Sequence, residues 1–391
     1  KPSLCNFYLN DQTYYKYDIQ FVIQSLTSKG ISKKQISRFG AATAQTLIHE
    51  WDKLVSVGLT KDNIVSISSN KGAYLTVFII LNNYSTLVAK GFTKDDIVSI
   101  ASNDGANQAI KTLLEKYNIL VSKGFSKDNV VSIASNGGAN LAINTVLDTY
   151  GAFVCKGFTN DDIISIASNG GANVALKTVL DKYDALISKG FSKDNIVSIS
   201  SHAGANVAIK TILDNYDALV TKGFTKKDIV SVSSNDGGKQ AIKTVLDKYD
   251  ALVSKGFSKD NIVSMSSNIG GNLTIKTVSD NYDALVSKAF TKENIVCMAS
   301  NSGGSRCIKT VLSRYDALIS KGFTKDNIVS IASNIGANVA IQTLLNIYDA
   351  LILKGFTKED IVSISSNGGA NQGLRTVLDA YDILISKGFS K

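Results

Sequence analysis

A period of 33 residues constrains this chain more than anything else in it. Ten units begin at Leu59, Phe92, Phe125, Phe158, Phe191, Phe224, Phe257, Phe290, Phe323 and Phe356. Each runs from that residue through Thr or Ser and an acidic stretch to a close relative of I-V-S-I-A-S-N-x-G. A chain repeating at this spacing stacks one supersecondary unit on the next, so each unit touches only its neighbours and no central core forms. The 391 residues therefore do not divide into the two or three globular domains that length alone suggests. Within the fixed frame one position varies, just after the Asn. It reads Lys71, Asp104, Gly137, Gly170, Ala203, Asp236, Ile269, Ser302, Ile335 and Gly368. One chemically diverse position per fixed unit is the pattern of a row of reading heads.

The unit Phe158 to Gly190 shows how the residues dictate the fold. Thr159 is an N-cap whose hydroxyl reaches a free N–H of the first turn, with Asp162 three residues on as a short capping-box partner. Phe158 and Ile163 form a hydrophobic staple around that cap. A first helix through Ile163, Ile164, Ile166 and Ala167 ends near Asn169-Gly170-Gly171, where glycine permits left-handed backbone. A second helix places Ala175, Leu176, Val179, Leu180, Tyr183, Leu186 and Ile187 on one apolar stripe. Lys189-Gly190 closes it. The expected fold class is all-α, a solenoid of helix–loop–helix units. A tyrosine recurs at the place of Tyr183 from Tyr84 to Tyr381, and its simplest role is a core spacer between stacked units.

Residues 1–58 read as degenerate N-terminal capping units, residues 59–388 as ten full repeats, and residues 389–391 as the start of another. Ile31 to Gly58 is a shortened unit without the Asn-X-Gly loop, and Tyr15 to Gly30 is half of one. Its Lys33, Lys34 and Arg38 suit either a cap on the stack or a starting clamp on nucleic acid. A first residue Lys1 and the trailing Phe389-Ser390-Lys391 point to a segment of a longer protein.

A net charge of +9 fits a polyanionic partner or a merely Lys-rich soluble protein. Cys5, Cys155, Cys297 and Cys307 share neither metal nor disulfide spacing, which points to a reducing compartment. The only histidines are His49 and His202. No metal site, cofactor, small-molecule substrate or catalysis is therefore expected. Pro2 is the sole proline, so no Pro-rich hinge divides the array. No apolar run approaches the roughly 20 residues of a membrane span, and no membrane partner is expected.

Ankyrin and tetratricopeptide landmarks are missing from the units. Segments such as Ile166-Ala167-Ser168-Asn169-Gly170-Gly171 and Val232-Ser233-Ser234-Asn235-Asp236-Gly237-Gly238-Lys239-Gln240-Ala241 instead resemble the core of the TAL effector repeat family. The degenerate unit, with Thr43-Ala44 and His49-x-Trp51, is similar to the cryptic repeat that precedes that family's array. The resemblance covers residues 15 to 391 and implies a right-handed superhelix wrapping double-stranded DNA as a monomer, each inter-helix loop meeting one base in the major groove. It further implies an intracellular bacterial protein acting on DNA, in a host nucleus for effectors of this kind, and regulating transcription.

Carried over residue by residue, Asn70, Asn103, Asn136, Asn169, His202, Asn235, Asn268, Asn301, Asn334 and Asn367 brace the loops, each toward the carbonyl four residues upstream. The variable residues face the bases. Gly72, Gly105, Gly138, Gly171, Gly204, Gly237, Gly270, Gly303, Gly336 and Gly369 would offer backbone N–H groups to phosphate at a helix N-terminus. Lys239 and Gln240 keep the family's Lys-Gln pair for phosphate. Elsewhere the Lys place holds Asn, as at Asn107 or Asn173, with Tyr74 and Ser305 as exceptions. Lys111, Lys177, Lys210, Lys243, Lys276, Lys309 and Arg375 stand four residues further on, either phosphate contacts or a solvated helix face. The family's proline late in the second helix is replaced, by Asp184, Asp217 and Asp250 for instance.

Side-chain chemistry gives a separate reading of the bases. Asp104 and Asp236 suit cytosine N4, and Lys71 suits guanine O6 or N7. Gly137, Gly170 and Gly368 leave room for the thymine methyl. Ile269 and Ile335 offer apolar contact, which the family uses for adenine. Ser302 is permissive, and His202-Ala203 takes no firm base. The implied target is 5′-GCTTNCANAT, about one turn of B-DNA. The alternative is a helical solenoid that binds protein through its concave face. That reading expects aromatic and Arg anchors at the variable positions, and single-stranded RNA recognition expects stacking side chains in the loops. Neither is the pattern here.

Overall fold

The computed structural model describes residues 19–388, which hold 23 helices and no strand. Pro2, Cys5 and the residues 389–391 read as a further repeat lie outside the described residues. Each full unit is a short helix of eight residues and a long one of 17, as in Lys94–Ala101 followed by Ala106–Ser122. Eight residues are too few to hold a helix in water alone. Two features make it possible, a reciprocal cap and an apolar face.

The cap is a capping box in every full repeat. Thr225 accepts from the Asp228 N–H, and the Asp228 carboxylate accepts from the Thr225 N–H at 2.8 Å. Ser126 and Asn129 do the same with an amide side chain, the Ser126 N–H donating at 3.0 Å. The staple follows the expected geometry, with Phe158 and Ile163 buried. In the long helix, Ala106, Ala109, Ile110, Leu113 and Leu120 are buried at i, i+3, i+4 spacing.

Two compact units divide the chain at Lys177 and Thr178. In the first, long helices Ala73–Ala89, Ala106–Ser122 and Ala139–Cys155 pack in succession, and the short helices Lys94–Ala101, Lys127–Ala134 and Asn160–Ala167 form a parallel row. In the second, the long helices Ala205–Thr221, Gly238–Ser254, Gly271–Ser287, Gly304–Ser320, Ala337–Leu353 and Ala370–Ser386 repeat that arrangement. The degenerate unit keeps the plan in reduced form, Lys33–Ile36 followed by Ala41–Ser56, with Ser32 and Gln35 making its capping box.

Serine links the short helices. Ser66 Oγ lies 2.7 Å from Ser102 Oγ, and Ser99, Ser132, Ser198, Ser231, Ser264 and Ser330 each reach the serine 36 residues on. Cys297 stands in this series where the other repeats have Ser, and Ser333, which would face it, donates to the Val329 carbonyl.

The recurring tyrosine is more than the core spacer expected from sequence. Most are half-buried. Tyr249 Oη donates to the Lys222 carbonyl at 2.8 Å, its ring sits 5.5 Å from that of Phe224, and Lys222 Nζ lies 4.9 Å from the ring centroid. Asp250 then accepts from Lys222 Nζ at 2.6 Å. The phenol is needed because the last turn of the preceding long helix leaves carbonyls without helical partners. The aspartates that replace the family's proline thus pair with lysines of the preceding repeat, as in Lys321–Asp349 at 2.7 Å. Even the degenerate unit has a version, with Lys29 Nζ 5.5 Å from the Trp51 ring and 3.3 Å from Asp52.

Candidate nucleic-acid interface

The loop between the two helices is built from the short helix's last turn. Asn103 Nδ2 donates to the Ser99 carbonyl at 2.7 Å, and Asn70, Asn136, Asn268, Asn334 and Asn367 likewise bond the carbonyl four residues upstream. Asn169, Asn235 and Asn301 depart from that expectation and reach the carbonyl three residues upstream, on Ile166, Val232 and Met298. His202 makes no such bond among the described residues. Its imidazole is bulkier than a carboxamide, and its donor and acceptor nitrogens sit on opposite sides of a ring rather than on one planar amide tip.

The glycine two residues after the Asn also takes two forms, which follow the Asn bracing except at Gly303. Gly72, Gly105, Gly138, Gly204, Gly270, Gly303, Gly336 and Gly369 lie in the left-handed region at φ between 76° and 108°. Their N–H groups have no acceptor among the described residues. Gly237 instead has φ −97°, and its N–H donates to Asn235 Oδ1 at 2.9 Å. Gly171 donates to Asn169 Oδ1 at 3.0 Å in the same way. Phosphate contact through the backbone is thus open at eight of the expected glycines. At Gly171 and Gly237 the donor is already used by the braced Asn.

The variable residues project from this frame. Lys71, Asp104, Gly137, Gly170, Ala203, Asp236, Ile269, Ile335 and Gly368 are exposed, and Ser302 is half-exposed. Ile269 and Ile335 are 64% and 67% exposed, large aliphatic side chains held in solvent at loop tips. Two of the loops are also tied to their neighbours, a link that spacing alone did not reveal. Asp104 Oδ1 accepts from the Lys71 N–H, and Asp236 Oδ1 accepts from the Ala203 N–H, both at 3.1 Å.

Two sets of cations differ in their partners. Those closing the long helices are engaged, as with Lys189 and Asp217 or Lys354 and Asp382. Lys111, Lys177, Lys210, Lys243, Lys276, Lys309 and Arg375 are exposed and have no ion pair or hydrogen bond among the described residues. Each stands four residues after the second residue of its long helix, and so on the same face, one turn from the loop. Lys239 is half-buried and Gln240 exposed at the corresponding first turn. Cys155 and Cys297 are exposed free thiols, while burial pushes the Cys307 thiol up to about 12. No helix is long and apolar enough to cross a membrane among the described residues.

Together these features define a modular helical-repeat array, each repeat presenting one inter-helix loop with a variable residue at its tip, the loop braced by Asn in nine of the ten. Residues 236–268 and 302–334 match the TAL effector repeat family. Two of the ten repeats thus match that family, whose repeats bind DNA, and the regular helical array around them is consistent with a TAL effector-like repeat protein. Comparison with curated proteins gave no match.

Proposed function

We propose that this chain binds double-stranded DNA in a sequence-dependent manner, one base per repeat in the major groove, with the implied target 5′-GCTTNCANAT and without catalysis. The observation that carries the reading is the set of braced loops holding exposed variable residues, isoleucine among them, at a constant interval. Lys71, Asp104 and Asp236 read by hydrogen bonds, Ile269 and Ile335 by apolar contact, and the glycines by the space they leave. Ser302 is permissive, and the His202-Ala203 pair is assigned no firm base. Backbone N–H groups of the left-handed glycines and the unpaired cations of the long helices supply phosphate affinity. The array follows the groove as a monomer, and a role in transcription regulation, in a host nucleus as in the effectors it resembles, follows from that reading.

The test is competition between a duplex carrying the implied target and a scrambled duplex at physiological salt. Specific binding should favour the target, each mismatch costing about 1–3 kcal/mol. Equal affinity for both would sink the reading, and capture of a protein ligand by the same variable residues would favour a protein-binding solenoid instead.

A further inference from the structure

We infer that reading is shared between adjacent loops wherever a repeat presents aspartate: one carboxylate oxygen holds the preceding loop, the other is left for the base. Asp104 and Asp236 then set selectivity at two positions, their own and the one before. This rests on the DNA reading proposed above and assigns it a coupling that the family's one-residue, one-base scheme does not contain.

The same bond occurs twice, once in each compact unit. Each time Oδ1 accepts at 3.1 Å from the N–H of the variable residue 33 positions earlier. The donors belong to Lys71 and Ala203, residues with nothing in common but their place, so the aspartate creates the link. The N–H groups of the other eight variable residues have no such side-chain acceptor among the described residues. An ionised carboxylate has about four acceptor sites on two oxygens, so Oδ2 remains available to a cytosine amino group after Oδ1 is engaged. Fixing the Lys71 backbone matters most for a lysine. Its long flexible side chain offers a point charge rather than a planar fork, and it loses much rotamer freedom on binding. A loop already held in place leaves less to be ordered when the base arrives.

Two measurements test this. Amide hydrogen exchange on the protein without DNA reads the link directly. The Lys71 N–H should exchange roughly 2- to 10-fold faster in Asp104→Ala, and Ala203 likewise in Asp236→Ala. Asp104→Asn keeps an acceptor oxygen without the charge, so it should stay near the parent and separate bonding from a charge effect on exchange. Selection from random duplex DNA then reads the consequence. Asp104→Ala should lose cytosine preference at the second base and, several-fold, guanine preference at the first. Asp104→Asn should lose only the second. A first-base preference untouched in Asp104→Ala, or an unchanged Lys71 exchange rate, would overturn the inference. A chain that selected no sequence at all would overturn the DNA reading and the shared selectivity with it, while the exchange measurement would still decide whether the loops are linked.

Discussion

At Ala289 the chain carries its one non-glycine residue with positive φ, at 60°, among the described residues. The equivalent residue is glycine in the other repeats, as at Gly256 and Gly322. A Cβ there crowds the carbonyl, so Ala289→Gly should raise stability by about 1 kcal/mol, visible as a higher thermal midpoint. At the loop tips the prediction concerns selectivity. Exchanging Asp236 for Ile replaces the carboxylate proposed to read the sixth base with an aliphatic surface, so selected duplexes should change from C toward A at that base. Persistence of C would separate the carboxylate from base choice. The loop-forming residues were legible in the repeated Asn-X-Gly. The split between carbonyls three and four residues upstream was not, because Asn169 and Asn136 lie in nearly identical local sequences.

At the scale of the element, stability rests on contacts handed from one helix to the next. Removing the phenol in Tyr249→Phe leaves the ring packed against Phe224 but orphans the Lys222 carbonyl, which should cost about 1 kcal/mol in denaturant unfolding. The Lys222–Asp250 pair beside it adds little, because Asp250 is 84% exposed. A better-shielded pair is Asp228 with Lys259 at 2.7 Å. Burial alone would raise the Asp228 pKa, but the Lys259 ammonium and the Thr225 backbone and hydroxyl donors outweigh it and hold the carboxyl below the usual carboxylate range. A depressed folded-state pKa stabilises the fold above the unfolded value near 4 and is lost as pH falls through the folded value. Asp228→Asn should therefore lower stability at neutral pH and flatten its decline below pH about 4. The short and long helices, their caps and their staple were all readable from residue type and spacing. The serine rungs and the tyrosine clamp were not, since their partners stand 36 and 27 residues away and only packing brings them together.

At the scale of the whole molecule the net charge of +9 matters less than which cations remain unpaired. Converting Lys210 and Lys243 to Gln should weaken binding to every duplex about equally and lower the salt slope by about 1 per residue, leaving sequence preference intact. A change in preference would move those lysines from phosphate to base readout. The sequence by itself determined the repeat, its two helices, the positions of the loops and the identity of every exposed variable residue, because capping, apolar periodicity and glycine act over a few neighbouring residues. Only the tertiary structure decided which glycine N–H groups stay open, which lysines are spent on neighbouring aspartates, and that Asp104 and Asp236 reach back to the loop before them. Those outcomes depend on how closely one repeat stacks on the next, a distance that no local pattern encodes.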